Sequence, residues 1–203
     1  MQSRRNPLYR WIVILVGGSM TGEAVVHAEP FRGSPLGIPG VVEAEDFDSG
    51  NAGVAYNDLT EANHGADYRG TTQVDIERRS DASNGHGIGW TRAGEWLTYT
   101  VQTEKPGTYT LEIPVASKRA GGVFHVEFDG TDATGPIAVP DTGRWTRLKT
   151  VRVAGVRVPK GVSVMKVVMD SDGPSESVGD IDCFRFTRED SRDGDAAARP
   201  GNP

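Results

Sequence analysis

The sequence predicts an all-β protein, a two-sheet β-sandwich of the jelly-roll kind, on three observations. Apolar and polar residues alternate with period 2 in stretch after stretch, as the two faces of a strand require. Turn signals built on glycine and proline separate those stretches. No segment carries the apolar stripe of an amphipathic helix. Composition agrees: 26 Gly and 12 Pro with 36% hydrophobic residues suit short strands joined by turns, and 203 residues suffice for one domain with a core.

From the N-terminus, Arg4, Arg5 and Arg10 precede the apolar run Trp11-Ile12-Val13-Ile14-Leu15-Val16, and Val26-His27-Ala28 places small residues three and one before Glu29. This reads as a cleaved secretory signal over residues 1–28, too short in its apolar part for the ~20 residues of a membrane span. The expected product is exported, whether extracellular or periplasmic, and soluble. Residues 29–40 are rich in Pro and Gly and read as a linker, so the folded domain is expected over 41–188. Strands are expected over 95–101, with Leu97, Tyr99 and Val101 inward and Trp96, Thr98 and Thr100 outward, and over 108–115 and 123–129. Two more are expected over 163–170 and 181–186. Turns fall at Lys105-Pro106-Gly107, Ala120-Gly121-Gly122, Asp129-Gly130, Asp141-Thr142-Gly143 and Pro159-Lys160-Gly161. Residues 189–203, charged and without aromatics, read as a disordered tail.

Charge and cysteine content exclude several functions. Lys and Arg number 22 against 28 Asp and Glu, a net charge of −6, and loss of residues 1–28 removes more cations than anions. An acidic surface suits neither nucleic acid nor anionic lipid. Cys183 is the single cysteine, so an intrachain disulfide or thiolate metal site is not possible. No nucleophile elbow or metalloprotease helix occurs, and His64, His86 and His125 lack metal-ligand spacing. The expectation is a monomer without catalysis.

Several motifs fall in one order along residues 36–188. They include Val42-Glu43-Ala44-Glu45-Asp46-Phe47-Asp48, Val74-Asp75-Ile76-Glu77 and Gly87-Ile88-Gly89-Trp90-Thr91-Arg92-Ala93-Gly94-Glu95-Trp96. Val139-Pro140-Asp141-Thr142-Gly143-Arg144-Trp145 and Asp180-Ile181-Asp182-Cys183-Phe184 follow. Together they resemble family 6 carbohydrate-binding modules, β-jelly-rolls found beside many polysaccharide-degrading enzymes.

The resemblance implies two sites. Glu43 and Glu45, at i and i+2 of one strand, share a face. On the residue pattern alone they read as solvated acids, whereas the resemblance makes Glu43, Glu45 and Asp182 ligands of a structural calcium, with a carbonyl from residues 81–85. It also makes Trp90 and Trp145 the aromatic walls of a sugar cleft, Glu77 an acidic hydroxyl reader, and Asp180 the occupant of a position where the family has Asn. Indole faces suit the C–H faces of sugar rings. Core packing is the other reading of both Trp residues, but each adjoins turn-rich sequence. Trp96 matches the aromatic of a second cleft on the concave sheet face, with His125 and Glu127 outward nearby; partial cover by a loop is its other reading.

The chain departs from the family at three places. Asp180 when ionised accepts hydrogen bonds only, whereas Asn also donates. Leu148 and Cys183 stand where aromatics are usual. The resemblance implies binding of a polysaccharide or oligosaccharide without catalysis. Chain ends are the target if the two Trp form a blind pocket, and neutral sugars are favoured over anionic ones by Glu77 and Asp180. The alternative is a structural or adhesion module that has lost sugar binding through Asp180.

Overall fold

Strands form here because one face of each can be buried. The computed structural model describes residues 28–65 and 68–189, so the expected signal lies almost wholly, and the expected tail past Glu189, outside the described residues. In chain order the strands are β1 (Leu36–Ile38), β2 (Gly40–Glu43), β3 (Tyr56–Asn57), β4 (Ile76–Arg78), β5 (His86–Ile88), β6 (Trp96–Thr103) and β7 (Gly107–Ala116). They continue with β8 (Val123–Phe128), β9 (Thr131–Asp132), β10 (Ile137–Ala138), β11 (Lys149–Val158), β12 (Gly161–Ser171), β13 (Asp180–Ile181) and β14 (Cys183–Arg188). No helix among the described residues is long and apolar enough to cross a membrane.

Two seven-stranded sheets face each other, as expected of a jelly roll. One runs β1-β6-β12-β8-β10, with β3 beside β6 and β9 beside β8. The other runs β2-β14-β7-β13-β5-β4, with β11 beside β7. The first buries Leu97, Tyr99, Val101, Phe124, Val126, Met165 and Val167, and the second buries Leu111, Ile113, Val115, Phe184 and Phe186. Edge-on pairs join the layers, Tyr99 with Phe184 at 5.9 Å and Phe128 with Phe186 at 6.0 Å between ring centroids. The Tyr99 hydroxyl donates to the Ala44 carbonyl at 2.8 Å, which satisfies the polar atom of a fully buried ring.

Two expectations are corrected. Residues 29–40 are part of the fold. β1 pairs parallel with β6 through Leu36↔Val101, Ile38 is buried, and the Glu29 and Ser49 backbones exchange hydrogen bonds at 2.8 and 2.7 Å. Thr98, expected outward, is buried under the segment before β3, where its N–H and hydroxyl donate to the Ala55 carbonyl at 3.0 and 2.9 Å.

β11 is an addition to the expected strands. Its register against β7 shifts between Val153 and Val156, where Gly155 has φ 77°, and the bulge breaks the alternation that marks a strand in sequence. Lys149, Arg152 and Arg157 are exposed along it, and charge on an edge strand deters pairing with other chains. β14 runs antiparallel to β7, and the described chain ends where the Glu189 N–H donates to the Thr108 carbonyl at 2.9 Å.

Candidate ligand-binding site

The predicted sugar-site residues converge at the end of the sandwich where β7 finishes. Glu77 stands on β4 opposite Gly87 of β5, and β5 pairs with β13 through Ile88↔Ile181, which brings Asp180 alongside. Gly89 lies where they meet. A Cβ there would be 3.3 Å from Asp180 Oδ1 and 3.6 Å from Glu77 Cδ, so the bare backbone lets both carboxyls close in.

Trp90 follows with φ 51°, the left-handed region that bulky residues avoid, and is 50% exposed. Thr91 holds it there. The Thr91 hydroxyl donates to the Gly179 carbonyl at 2.6 Å, and the Val178 N–H donates to the Thr91 carbonyl at 2.8 Å. Trp145 sits in the loop from β10 to β11. That loop is pinned where the Thr142 N–H donates to the Ser117 carbonyl and the Ser117 N–H to Thr142 Oγ1, at 3.0 and 3.1 Å.

Glu77, Trp90, Trp145 and Asp180 line one cavity of about 600 Å³, within the range of small-ligand sites. Thr60 and His64, from the insertion over residues 57–72, add a wall, and Ser175 and Ser177 add hydroxyls from the loop before β13. Asp75 and Glu176 bring further carboxyls, with Arg92 as a cation on the lining. Burial first, and the Glu77 carboxylate next, push the Asp180 carboxyl upward, while Arg79 pulls it back.

Arg79 was not foreseen. Its side chain is 3% exposed. Nε and Nη2 donate to the two carboxylate oxygens of Asp81 at 3.1 Å each, and Nη2 also donates to the Trp145 carbonyl at 2.7 Å. Nη1 donates to Glu77 and, at 2.8 Å, to Asp180 Oδ2. The signal was in the sequence: Glu77, Arg79 and Asp81 are spaced by two, which puts them on one side of an extended chain.

Glu95 braces the Trp90 loop from behind. Its Oε2 accepts from the Arg92 N–H at 2.8 Å and its Oε1 from the Leu59 N–H at 3.2 Å, joining the loop to the insertion. Burial pushes its carboxyl up to about 7. The folded state therefore holds this proton more tightly than the unfolded chain does, and stability falls as pH rises from the ordinary glutamate range to about 7. The expected loss is up to ~3 kcal/mol by linkage, with no further change above that range. Urea melts of wild type and Glu95→Gln at pH 5 and pH 8 check it. The variant should show the smaller difference between the two pH values, and equal differences would refute the assignment.

The expected calcium ligands border the β4–β5 loop at Ser83 and Asn84, with Glu43 and Asp182 close together and Glu45 outside their group. Ser83 bridges two of them: its hydroxyl donates to Glu43 Oε2 at 2.7 Å, and its N–H donates to Asp182 Oδ1 at 2.9 Å. Glu43, Asp182 and Cys183 present ligand atoms within 4.8 Å of one another. Burial pushes the Cys183 thiol up to about 12, and a protonated thiol is no ligand for a hard cation. Glu45 is fully buried and takes a hydrogen bond from Asn84 on Oε1, while its Oε2 has no partner among the described residues. Burial pushes Glu45 up to about 7 and raises Glu43. Crowded carboxyls with an orphaned buried oxygen fit a hard divalent cation.

Trp96 lies apart from the cavity. It is half-buried at the start of β6, and the Lys166 Nζ sits 4.5 Å from its ring centroid, a cation–π contact that covers one indole face. Nearby on the same sheet face His125 is held between Asp170 at 2.9 Å and Glu127 at 3.2 Å. The partial cover expected of a loop comes here from a lysine.

Comparisons with known proteins agree with this geometry. The family model for carbohydrate binding module (family 6) matches residues 64–188, more than half of the chain. A β-1,3-glucan-binding module of family 6 from Bacillus halodurans is similar over 76% of this chain and 100% of its own, at 23% identity and a TM-score of 0.58. The C-terminal family 6 module of the laminarinase LamC from Zobellia galactanivorans is similar over 73% and 98%, at 25% identity and a TM-score of 0.55. The clotting factor G alpha subunit of Tachypleus tridentatus is 31% identical over 86 residues, 41% of this chain and 13% of the subunit's length. On the match across residues 64–188, and on the jelly roll and loop cavity that those residues build, the chain belongs to carbohydrate-binding module family 6.

Proposed function

We propose that this chain is an exported, calcium-stabilised module that binds a neutral oligosaccharide, or the end of a polysaccharide chain, between Trp90 and Trp145. The observation that carries the reading is the convergence of two indoles and the Glu77 and Asp180 carboxyls on one cavity of about 600 Å³. Indole faces stack on sugar C–H faces, while carboxylate oxygens accept from hydroxyls at the ring edge. The wall added by Thr60 and His64 supports recognition of a chain end. Four carboxyls on the lining against one arginine favour neutral over uronate or sulfated sugars. Asp180 costs the site an amide donor, but its carboxylate is matched by Arg79, which counts against a site lost by substitution. Binding is the whole activity of the domain in this reading.

Export rests on the basic, apolar and small-residue succession over residues 1–28. Glu43, Glu45 and Asp182 would hold the calcium. A bound ion supplies charge to neutralise those acids and ties β2 to the chain entering β14.

Titration calorimetry of the calcium-loaded protein with laminaritriose, cellotriose, xylotriose and the parent polymers tests the reading. Saturable heat with one trisaccharide is expected, with Kd in the micromolar to millimolar range of roughly −8 to −4 kcal/mol. For a chain-end binder, polymer stoichiometry should count chains and not repeats. Tighter binding of a sulfated galactan than of any neutral sugar would overturn the preference. No heat with any glycan from a folded sample would overturn the function.

A further inference from the structure

We propose that Arg79 is the positioning residue of the sugar site, setting Glu77 and Asp180 side by side as acceptors for two adjacent donor groups on one ring edge. The inference rests on the reading of the cavity as a sugar site. Arg79 is buried behind the cavity wall and is not part of its lining. Its planar guanidinium has a fixed fork of donors, and every nitrogen is engaged by the protein.

Three groups that would meet the ligand hang on that fork. One nitrogen, Nη1, holds both Glu77 Oε1 and Asp180 Oδ2, so the two carboxyls cannot turn independently. The next, Nη2, holds the backbone carbonyl of Trp145 and so the base of an aromatic wall. Asp81 grips the guanidinium from its far side through both oxygens, which fixes the plane in which the fork lies. Asp180 Oδ1 lies beside Gly89, while Oδ2 is taken by Arg79, so Oδ1 is the oxygen left to the ligand.

This arrangement gives the acid at position 180 a reason. A carboxylate can receive an arginine on one oxygen and a ligand donor on the other, and the arginine offsets the repulsion between two neighbouring acids. The ligand edge that fits carries two donors, a vicinal diol or an amino alcohol. An edge bearing a carboxylate or sulfate meets only acceptors. Asp81, Glu77 and Asp180 are thus the acids facing Arg79, and Asp81 never reaches the sugar.

The test compares wild type, Arg79→Gln, Asp180→Asn and the double variant Arg79→Gln/Asp180→Asn, in calcium, by calorimetry with whichever of laminaritriose, cellotriose and xylotriose binds wild type. Arg79→Gln should weaken binding about tenfold or more, since it separates the acceptors without touching the ligand. The double variant should recover to within about threefold of wild type, because an amide at position 180 can bond Glu77 directly and no longer repels it. A mere loss of rigidity would not be cured by a second change in the pocket. Should Arg79→Gln not fold, Arg79→Lys carries the test. It keeps the charge, but its single ammonium cannot span the carboxyls and the Trp145 carbonyl, so binding should again fall. Arg79→Gln binding within twofold of wild type, or a double variant no better than Arg79→Gln, would overturn the proposal and leave the sugar-site reading standing. Wild type that binds none of the three sugars would remove that reading instead.

Discussion

Trp145→Ala should remove saturable sugar binding while the sandwich stays folded. A stacked aromatic wall truncated to alanine costs ~2–3 kcal/mol, or about 30- to 160-fold, which takes a site of micromolar to millimolar affinity out of calorimetric range. Trp145→Phe keeps a ring face and should retain part of the affinity. Trp90→Gly should lose binding to a similar degree, with a different effect on the fold. Glycine adopts φ near 51° freely, so the variant sheds backbone strain as it sheds the ring. Its melting temperature should equal or exceed that of wild type. A Trp90→Gly protein that still binds, or one that melts well below wild type, would contradict the picture of a strained, ligand-facing indole.

Calcium should stabilise this protein, and more at high pH than at low pH. Glu45 is pushed up to about 7 by burial and Glu43 is raised as well, so without a cation both hold protons more tightly when folded than when unfolded. Stability in chelator therefore falls as pH rises from the ordinary glutamate range through about 7. Calcium needs those carboxyls ionised and binds harder across the same window. At a hundredfold excess over its Kd the ion adds ~2.7 kcal/mol, or roughly 5–10 °C in melting temperature for a domain of this size. Thermal melts with calcium and with chelator should nearly coincide at pH 5 and separate at pH 8. Glu45→Gln should remove most of the separation and raise the chelator curve at pH 8. Coincident curves at both pH values would remove calcium from the account.

The strands with a clean alternation were legible because their pattern is local: one face of β6, β7, β8 and β12 is apolar, and the turns between them carry their own chemistry. What stayed illegible depended on distant partners. The segment before Val41 reads as linker by composition, yet β1 gains its place from β6, some sixty residues on. β11 was hidden by the bulge at Gly155, which desynchronises its inward valines. Among the site residues, Trp90, Trp145, Glu77 and Asp180 were legible through resemblance and lie together on one cavity. Arg79 was not, because a charged residue just past a strand reads as solvated until the acids around it are known. Asp180 was read as a deficit for the same reason, since its compensating charge lies 101 residues away.

Glu189, the last described residue, and the cavity lie at the two ends of β7. Glu189 is bonded to Thr108 at one end of β7, whereas the cavity opens at the other end, past Ala116. The nine residues from Thr108 to Ala116 span roughly 26 Å of extended strand. Glu189 and the cavity mouth therefore stand at opposite poles of the sandwich, and whatever enters between the indoles does so from the pole away from Glu189.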